Sequence, residues 1–515
     1  NVPISYRSRE LLWSLALTIL LLALTCAVIA LASQTTSIRL LAALVGALVV
    51  GLAAHFSGNP RLLCLCGLGF SIPFLFAKTI GPALNKGGGE VAFNVDVTDV
   101  FLIVLAGFLL SDYAQGRRRF FRVPTVSYAW MAIIFMGLVT IVFGTYRITA
   151  AHEVFRMLKM LGLFLILCQE LESPKRLGHW SAALISGLLV NAVVGLAQSY
   201  FRVTFGLADL GEAADDVTKT LAATSVKGVE IWRAGAFLVH PNVFGAFLAA
   251  LLPLALTGFL LPAGFIRRTY YLLSSVLGAG ALIASGSRSG WLSFAFAFIC
   301  LMAAIGSHRR MRKQAAIAAV AVGVALLAIG IGASGMIAQR LFESKEEALS
   351  FRGVFNEEAK SMIAEKPLWG FGLNSYVFEQ AAFAKYKYGS WPPPVHHIYY
   401  LWWAETGLVG LCLHLTIWGA MIWRGIRNLR VRNEQMFAIN AACLVGLLAF
   451  ILDGFVSFSL RVTPTLKTFW VLSAMIMAVH YWRLRHEVHQ APVPPEMVPD
   501  LLSSPGAGLA RSVPS

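Results

Sequence analysis

A chain of 515 residues that is 57% hydrophobic and 13% charged, with a mean hydropathy of +0.70, has too few charges to cover a water-soluble surface. That excludes a soluble enzyme carried on one membrane anchor. The formal net charge of +16 is spread between apolar runs and forms no single basic stripe, so it reads as a membrane topology signal and not as a nucleic-acid surface. All seven cysteines, Cys26, Cys64, Cys66, Cys168, Cys300, Cys412 and Cys443, lie inside apolar runs. They read as packing residues, with none placed for a disulfide or a thiolate metal site.

The expected fold is an all-α integral membrane protein of about 14 transmembrane helices. Apolar runs able to span a hydrocarbon core of about 30 Å fall near 11–33, 38–56, 62–80, 98–113, 126–144, 152–170, 178–200, 236–260, 269–285, 290–305, 314–333, 396–423, 436–458 and 465–482. Threaded alternately, they gather eight basic segments, from Arg7 and Arg9 to Arg483 and Arg485, on one face. By the positive-inside rule that face is cytoplasmic and holds both termini. The first run follows Arg7 and Arg9 and precedes no small-residue cleavage site, so it reads as a retained helix. Residues 1–333 then hold eleven helices, 334–395 a long outer loop, 396–482 three more helices, and 483–515 a tail rich in Pro, Gly and Ser that reads as a disordered cytoplasmic end.

Two outward segments are long, and long loops are usually functional. Residues 201–235 carry Asp209, Glu212, Asp215, Asp216 and Glu230. In 334–395, Ser344 with Glu347 has capping-box spacing, and Leu349, Phe351, Val354, Phe355, Met362 and Ile363 recur at helical spacing until Lys366-Pro367. A Gly-rich turn at 369–372, a second short helix around Ser375 to Lys387, and the stiff Trp391-Pro392-Pro393-Pro394 follow. They bring His396 to the mouth of the twelfth span, as a lid or docking element laid on the membrane surface would.

Chemistry is sought among the outward polar residues. Arg288, in SGSRSGW, sits in a tight hairpin between two spans, where a permanent cation needs an anionic partner and a planar guanidinium fits phosphate oxygens bidentately. Snorkelling to lipid headgroups is the structural alternative. Arg233 precedes the eighth span in WRAGAFLVHPNVFGAF, followed by His240, which is read either as a ligand or as a packing residue beside Pro241. Arg352 on the loop helix reads as a phosphate ligand or as a partner for Glu357 or Glu358. His396 and His397 precede an aromatic belt, and an imidazole there can take a proton from a sugar hydroxyl. His152, Arg156 and Lys159 share one face of the sixth span, and Asp453 lies in the outer half of the thirteenth. They line a cavity for a polyanionic headgroup, or else pair with Asp453 or Glu153. HExxH, CxxC, an outward Asp-x-Asp and Gly-rich nucleotide motifs are all absent from the sequence, so neither metal nor cofactor is expected.

In this order, WRAGAFLVHPNVFGAF, LIASGSRSGWLSF, RGVFNEEAKSMIAEKPLWGFGLNSY and VHHIYYLWWAETGLVGL resemble the conserved stretches of the O-antigen ligase and O-antigen polymerase superfamily, over roughly residues 230 to 420. The resemblance implies a GT-C-like glycosyltransferase of the bacterial inner membrane, with its site facing the periplasm. It implies inverting, metal-independent transfer from a glycan on undecaprenyl pyrophosphate. Arg233 and Arg288 would bind the pyrophosphate and His396 would be catalytic. The family usually has Asn where this chain has His397; alignment back from Glu405 and Gly407 selects His396, with His397 as its rival. The acceptor would be another lipid-linked repeat, in a polymerase, or lipid A core, in a ligase. Polymerisation is the preferred reading, with membrane lipids and a chain-length regulator as further partners. A lipid-linked oligosaccharide flippase and a structural scaffold are the readings from other classes.

Overall fold

The computed structural model describes residues 58–81, 89–213, 223–226, 229–309, 346–384 and 394–490, with a few isolated positions between them. The expected spans at 11–33, 38–56 and 314–333, the first three residues of the lead-in, Trp391-Pro392-Pro393, and the tail beyond Gln490 lie outside the described residues.

The order of elements is α1 (Pro60–Ser71), β1 (Ala77–Ile80), β2 (Phe93–Asp96), α2 (Val97–Ala114), α3 (Val126–Phe143), α4 (Arg147–Glu170), α5 (Pro174–Phe201), β3 (Ala223–Val226), β4 (Val229–Trp232), α6 (Pro241–Leu260), α7 (Phe265–Ala284), α8 (Arg288–Ser307), α9 (Glu346–Glu365), α10 (Tyr376–Phe383), α11 (Ile398–Asn428), α12 (Glu434–Gly454) and α13 (Thr463–Gln490). Seven of them, α2, α3, α5, α6, α8, α11 and α12, are long and apolar enough to cross a membrane. α4, α7 and α13 are as long but more polar. The chain is a multi-pass membrane protein.

Two expected spans are corrected, and an outer segment proves to be structured. The run at 62–80 is not one helix: α1 ends at Ser71, because Pro73 cannot continue a helix and disfavours helical backbone before it, and Ala77–Ile80 instead pairs antiparallel with Phe93–Asp96. The outer segment 201–235 likewise contains an antiparallel hairpin, Ala223–Val226 against Val229–Trp232. The eighth span starts at Pro241 and not at 236, since His240 is extended before proline and Pro241 occupies the first helical turn, where its missing N–H costs nothing.

α6 is the hub. It is apolar all round and buried on nearly every face, packed by α12, α7, α8 and α5. A second group, α3, α4, α11 and α13, joins it through α12. The basic loops meet at one end of these helices: Arg61 binds Glu170 at 2.5 and 2.8 Å and Asp112 at 2.5 Å, Arg118 binds Glu172 at 3.0 Å, and Arg424 donates to Thr125. Arg485 reaches the Glu172 carbonyl and Arg483 the Arg427 carbonyl at the same end.

Candidate active site

The turn between α7 and α8 is three residues long, Ser285-Gly286-Ser287. Gly286 takes a φ of +58°, open to glycine at little cost, and a Cβ there would lie 3.2 Å from the Arg233 Nε. Ser287 caps α8 by accepting from the Gly290 N–H at 3.2 Å. Buried Arg233 lies across this turn, donating to the Ser285 carbonyl at 3.1 Å and to Asn242 Oδ1 at 2.5 Å, while the Ala234 N–H bonds the Ala284 carbonyl. Arg288 is the first residue of α8, leaving the turn that Arg233 braces. Its half-buried guanidinium has neither a hydrogen bond nor an ion pair among the described residues.

The loop helix α9 supplies Arg352, close enough to Arg288 for their charges to repel. Burial first, and then Arg288, lower its pKa, with Asp453 acting in the opposite sense. One turn later Phe355 stacks on His396, with ring centroids 6.4 Å apart, and Phe458 meets the same imidazole edge-on at 5.1 Å. Burial, followed by the Arg352 charge, pushes the His396 pKa down to about 4, while the Pro394 carbonyl works weakly against them. His396 Nδ1 has no hydrogen-bond partner among the described residues. His240 caps α6 through Nδ1, which accepts from the Asn242 N–H at 3.0 Å; burial, Arg233, His396 and Arg352 push its pKa down to about 3.

His397 is placed differently. It caps α11, its Nδ1 accepting from the Tyr400 N–H at 3.3 Å, and its ring stacks on Tyr400 at 4.0 Å. Of the two adjacent histidines, one holds a helix end and the other faces Arg352. Asp453 is buried in the last turn of α12, where the hydroxyls of Ser459, Ser289 and Ser457 surround it. These serines were not singled out from the sequence. Ser289 follows Arg288 directly, but nothing in the primary structure ties it to residues more than 160 positions away.

The outer loop is fastened by backbone. α11 breaks at Gly407, with φ +66° and ψ −172°, and the 367–372 segment lies in the break. The Phe371 and Gly372 N–H groups donate to the Ala404 and Glu405 carbonyls at 2.9 and 2.8 Å, and Leu408 N–H donates to the Pro367 carbonyl at 2.8 Å. Any side chain at 407 would run into the Leu368 carbonyl, in addition to a conformational cost of about 1–3 kcal/mol. The carboxylate of Glu405 is held by Arg461 at 2.7 Å and by the Tyr376 N–H at 3.2 Å. α9 is thereby tied to the mouth of α11, and Arg352 and His396 come together.

Arg156 and Lys159 belong to a separate buried network. Arg156 pairs with Glu153 at 2.5 Å and Glu90 at 3.6 Å and donates to the Arg461 carbonyl at 2.6 Å. Lys159 pairs with Asp99 at 2.7 Å and Asp96 at 3.5 Å, and Asp96 also takes Lys467 at 2.9 Å. Both cations of this helix face are thus paired with carboxylates, Arg156 with Glu153 among them, and Asp453 is not part of this network. Lys467, a lysine inside an apolar run, was the available signal for these pairs.

Residues 273–415 match the family model described as O-antigen ligase. That segment includes Arg288, Arg352, His396, His397 and the Gly407 break; Arg233, His240 and Asp453 lie outside it. No curated protein matches the chain. Over residues 273–415 the chain is thus similar to the O-antigen ligase family, which supports the resemblance carried by its motifs.

Proposed function

We propose that the protein polymerises oligosaccharide repeats carried on undecaprenyl pyrophosphate into a cell-surface polysaccharide, by inverting transfer that needs no metal. The observation that carries this reading is the half-buried guanidinium of Arg288, unpaired among the described residues, near Arg352 and just past the turn that Arg233 braces, with His396 near Arg352. Three cations and one neutral imidazole fit a reaction in which a pyrophosphate departs and a hydroxyl is deprotonated. The acceptor oxygen attacks the anomeric carbon as its proton passes to His396. The bond from that carbon to the phosphate oxygen breaks, and its electron pair leaves on the lipid pyrophosphate, held by Arg288, Arg233 and Arg352. Asp453, near Arg352, limits the excess positive charge without cancelling it.

A ligase reading, with lipid A core as acceptor, is favoured by the description of the matching family model. Purified protein supplied with lipid-linked repeats decides between them: a ladder of polymer from the repeats alone supports polymerisation, and product formed only when lipid A core is added supports ligation. Activity is expected to survive a chelator; its loss on chelation would overturn the metal-free mechanism.

The site end is proposed to face the periplasm of the inner membrane, with the basic end and both termini in the cytoplasm. Ser361 and Ser307 are both exposed, on α9 and at the end of α8. In intact spheroplasts an impermeant thiol reagent is expected to label S361C and to spare S307C in a background without other reactive cysteines. Labelling of S307C would reverse the threading.

A further inference from the structure

Beneath the β1–β2 hairpin lies a polar cavity of about 270 Å³, lined by Ala77 and Thr79 of β1, Asn94 and Asp96 of β2, Glu90, and Phe155, Arg156 and Lys159 of α4, with Leu75 and Thr463 closing it. It is set apart from the Arg288 cluster but stands at the same end of the helices. Asn374, just past the turn docked on α11, donates to the Glu90 and Thr149 carbonyls at 2.9 and 2.8 Å. Arg461, whose carbonyl receives Arg156, lies two residues beyond Ser459 at the Asp453 carboxyl.

The lining chemistry selects a ligand class. Its two carboxylates, Glu90 and Asp96, are matched by two cations, Arg156 and Lys159, each within ion-pair distance of one of them. A wall with no net charge gives an anion no advantage, in contrast to the arginine cluster. What it offers is a dense mixture of donors and acceptors beside the Phe155 ring. The Thr79 hydroxyl donates to Asn94, and the Asn94 amide and Thr463 hydroxyl to Glu90, which leaves the hydroxyl lone pairs and the second Asn94 N–H for a ligand. Arg156 has a side chain only 3% exposed, and its Nε has no hydrogen-bond partner among the described residues. Uncharged vicinal hydroxyls match such a wall, and an aromatic face suits the C–H side of a sugar ring. The volume lies just under the roughly 300–1,000 Å³ usual for small-molecule pockets, room for a single ring and not for an extended chain.

We propose that this cavity is a subsite for one uncharged saccharide unit of the glycan being joined. The inference rests on the glycosyl-transfer reading for its place in the reaction, but not for the binding itself.

Ala77→Trp tests it, because Ala77 lines the cavity from an exposed strand and takes no part in the buried ion pairs. The probe is the repeat oligosaccharide released from the producing strain's surface polysaccharide, followed by saturation-transfer NMR with the purified full chain. Wild type and Arg288→Ala are expected to bind it, A77W to bind at least tenfold more weakly, and inorganic pyrophosphate not to compete. Asn94→Ala, a smaller change, is expected to weaken binding several-fold with an unchanged melting temperature. In the transfer assay A77W should raise KM at least tenfold with kcat within twofold. A rise in KM for the lipid-linked donor assigns the sugar to the donor, and a rise for the acceptor assigns it to the acceptor. Failure of wild type to bind the oligosaccharide, or equal binding by A77W folded to the wild-type melting temperature, overturns the subsite. Failure of the transferase reading would appear instead as no glycan transfer by wild type from the lipid-linked donor, with saccharide binding intact.

Discussion

Replacing His396 with alanine is expected to abolish glycan transfer while leaving the lipid-linked donor bound, because the arginines that hold the pyrophosphate are untouched. General-base catalysis contributes typically about 10²- to 10⁴-fold, so polymer should disappear from the product ladder and not merely shorten. The imidazole sits between Phe355 and Phe458, where burial and Arg352 push its pKa down to about 4. It is thus already unprotonated at neutral pH. The sign follows directly: a base works above its pKa, so kcat should be flat from pH 6 to 8 and fall on the acid side only near pH 4. His397→Asn should be mild in the same assay, because an asparagine side chain can also accept the Tyr400 N–H at the start of α11. Full activity in His396→Ala together with loss in His397→Asn would move the role one residue along.

Arg288→Lys should be nearly as damaging as Arg288→Ala. An ammonium is a compact point charge that cannot reproduce two parallel N–H bonds to phosphate oxygens. Loss of one charged hydrogen-bond partner in a desolvated pocket costs about 2 to 5 kcal/mol in the transition state. With Arg352 close by, the lysine variant should also not be rescued by raising donor concentration, since the missing interaction is one made as the leaving group gains charge. Normal glycan from a lysine variant expressed at wild-type level would sink this role. Arg233→Lys should behave in the same way, and more severely for folding, since Arg233 also holds the Ser285 carbonyl and Asn242.

The helices were legible because a lipid-facing helix writes itself as an uninterrupted apolar run. Even the short runs at 98–113 and 269–285 are full helices, Val97–Ala114 and Phe265–Ala284. The loop helix was legible too, ending at Glu365 before Pro367 as the periodicity predicts. What sequence could not supply is distance. Strand β1 was hidden in a run whose apolar character continues past Pro73, and its partner β2 lies outside that run. The serine ring about Asp453 joins α8 to the segment after α12. Glu405 reads in sequence as the acid of a helix, and only the fold shows Arg461 closing on it and Gly407 breaking the helix two residues later. Arg233, Arg288, Arg352 and His396 were singled out for chemistry one by one, and they meet because two short turns and a broken helix bring four distant segments to one end.

The buried ion pairs beside the saccharide cavity restrict how this part of the sequence can change. Arg156 with Glu153, Arg461 with Glu405, and Lys467 with Asp96 are each nearly sealed from solvent. Removing one member strands a charge at a cost of about 3–5 kcal/mol, whereas exchanging both members for apolar residues of similar volume is often neutral or better. Drift through these positions therefore proceeds by matched double steps. A homologue that has lost Arg461 should have lost the acid at 405 as well, and grafting residues 457–467 from a relative into this chain would fail unless the partners on α11, α4 and β2 travelled with them.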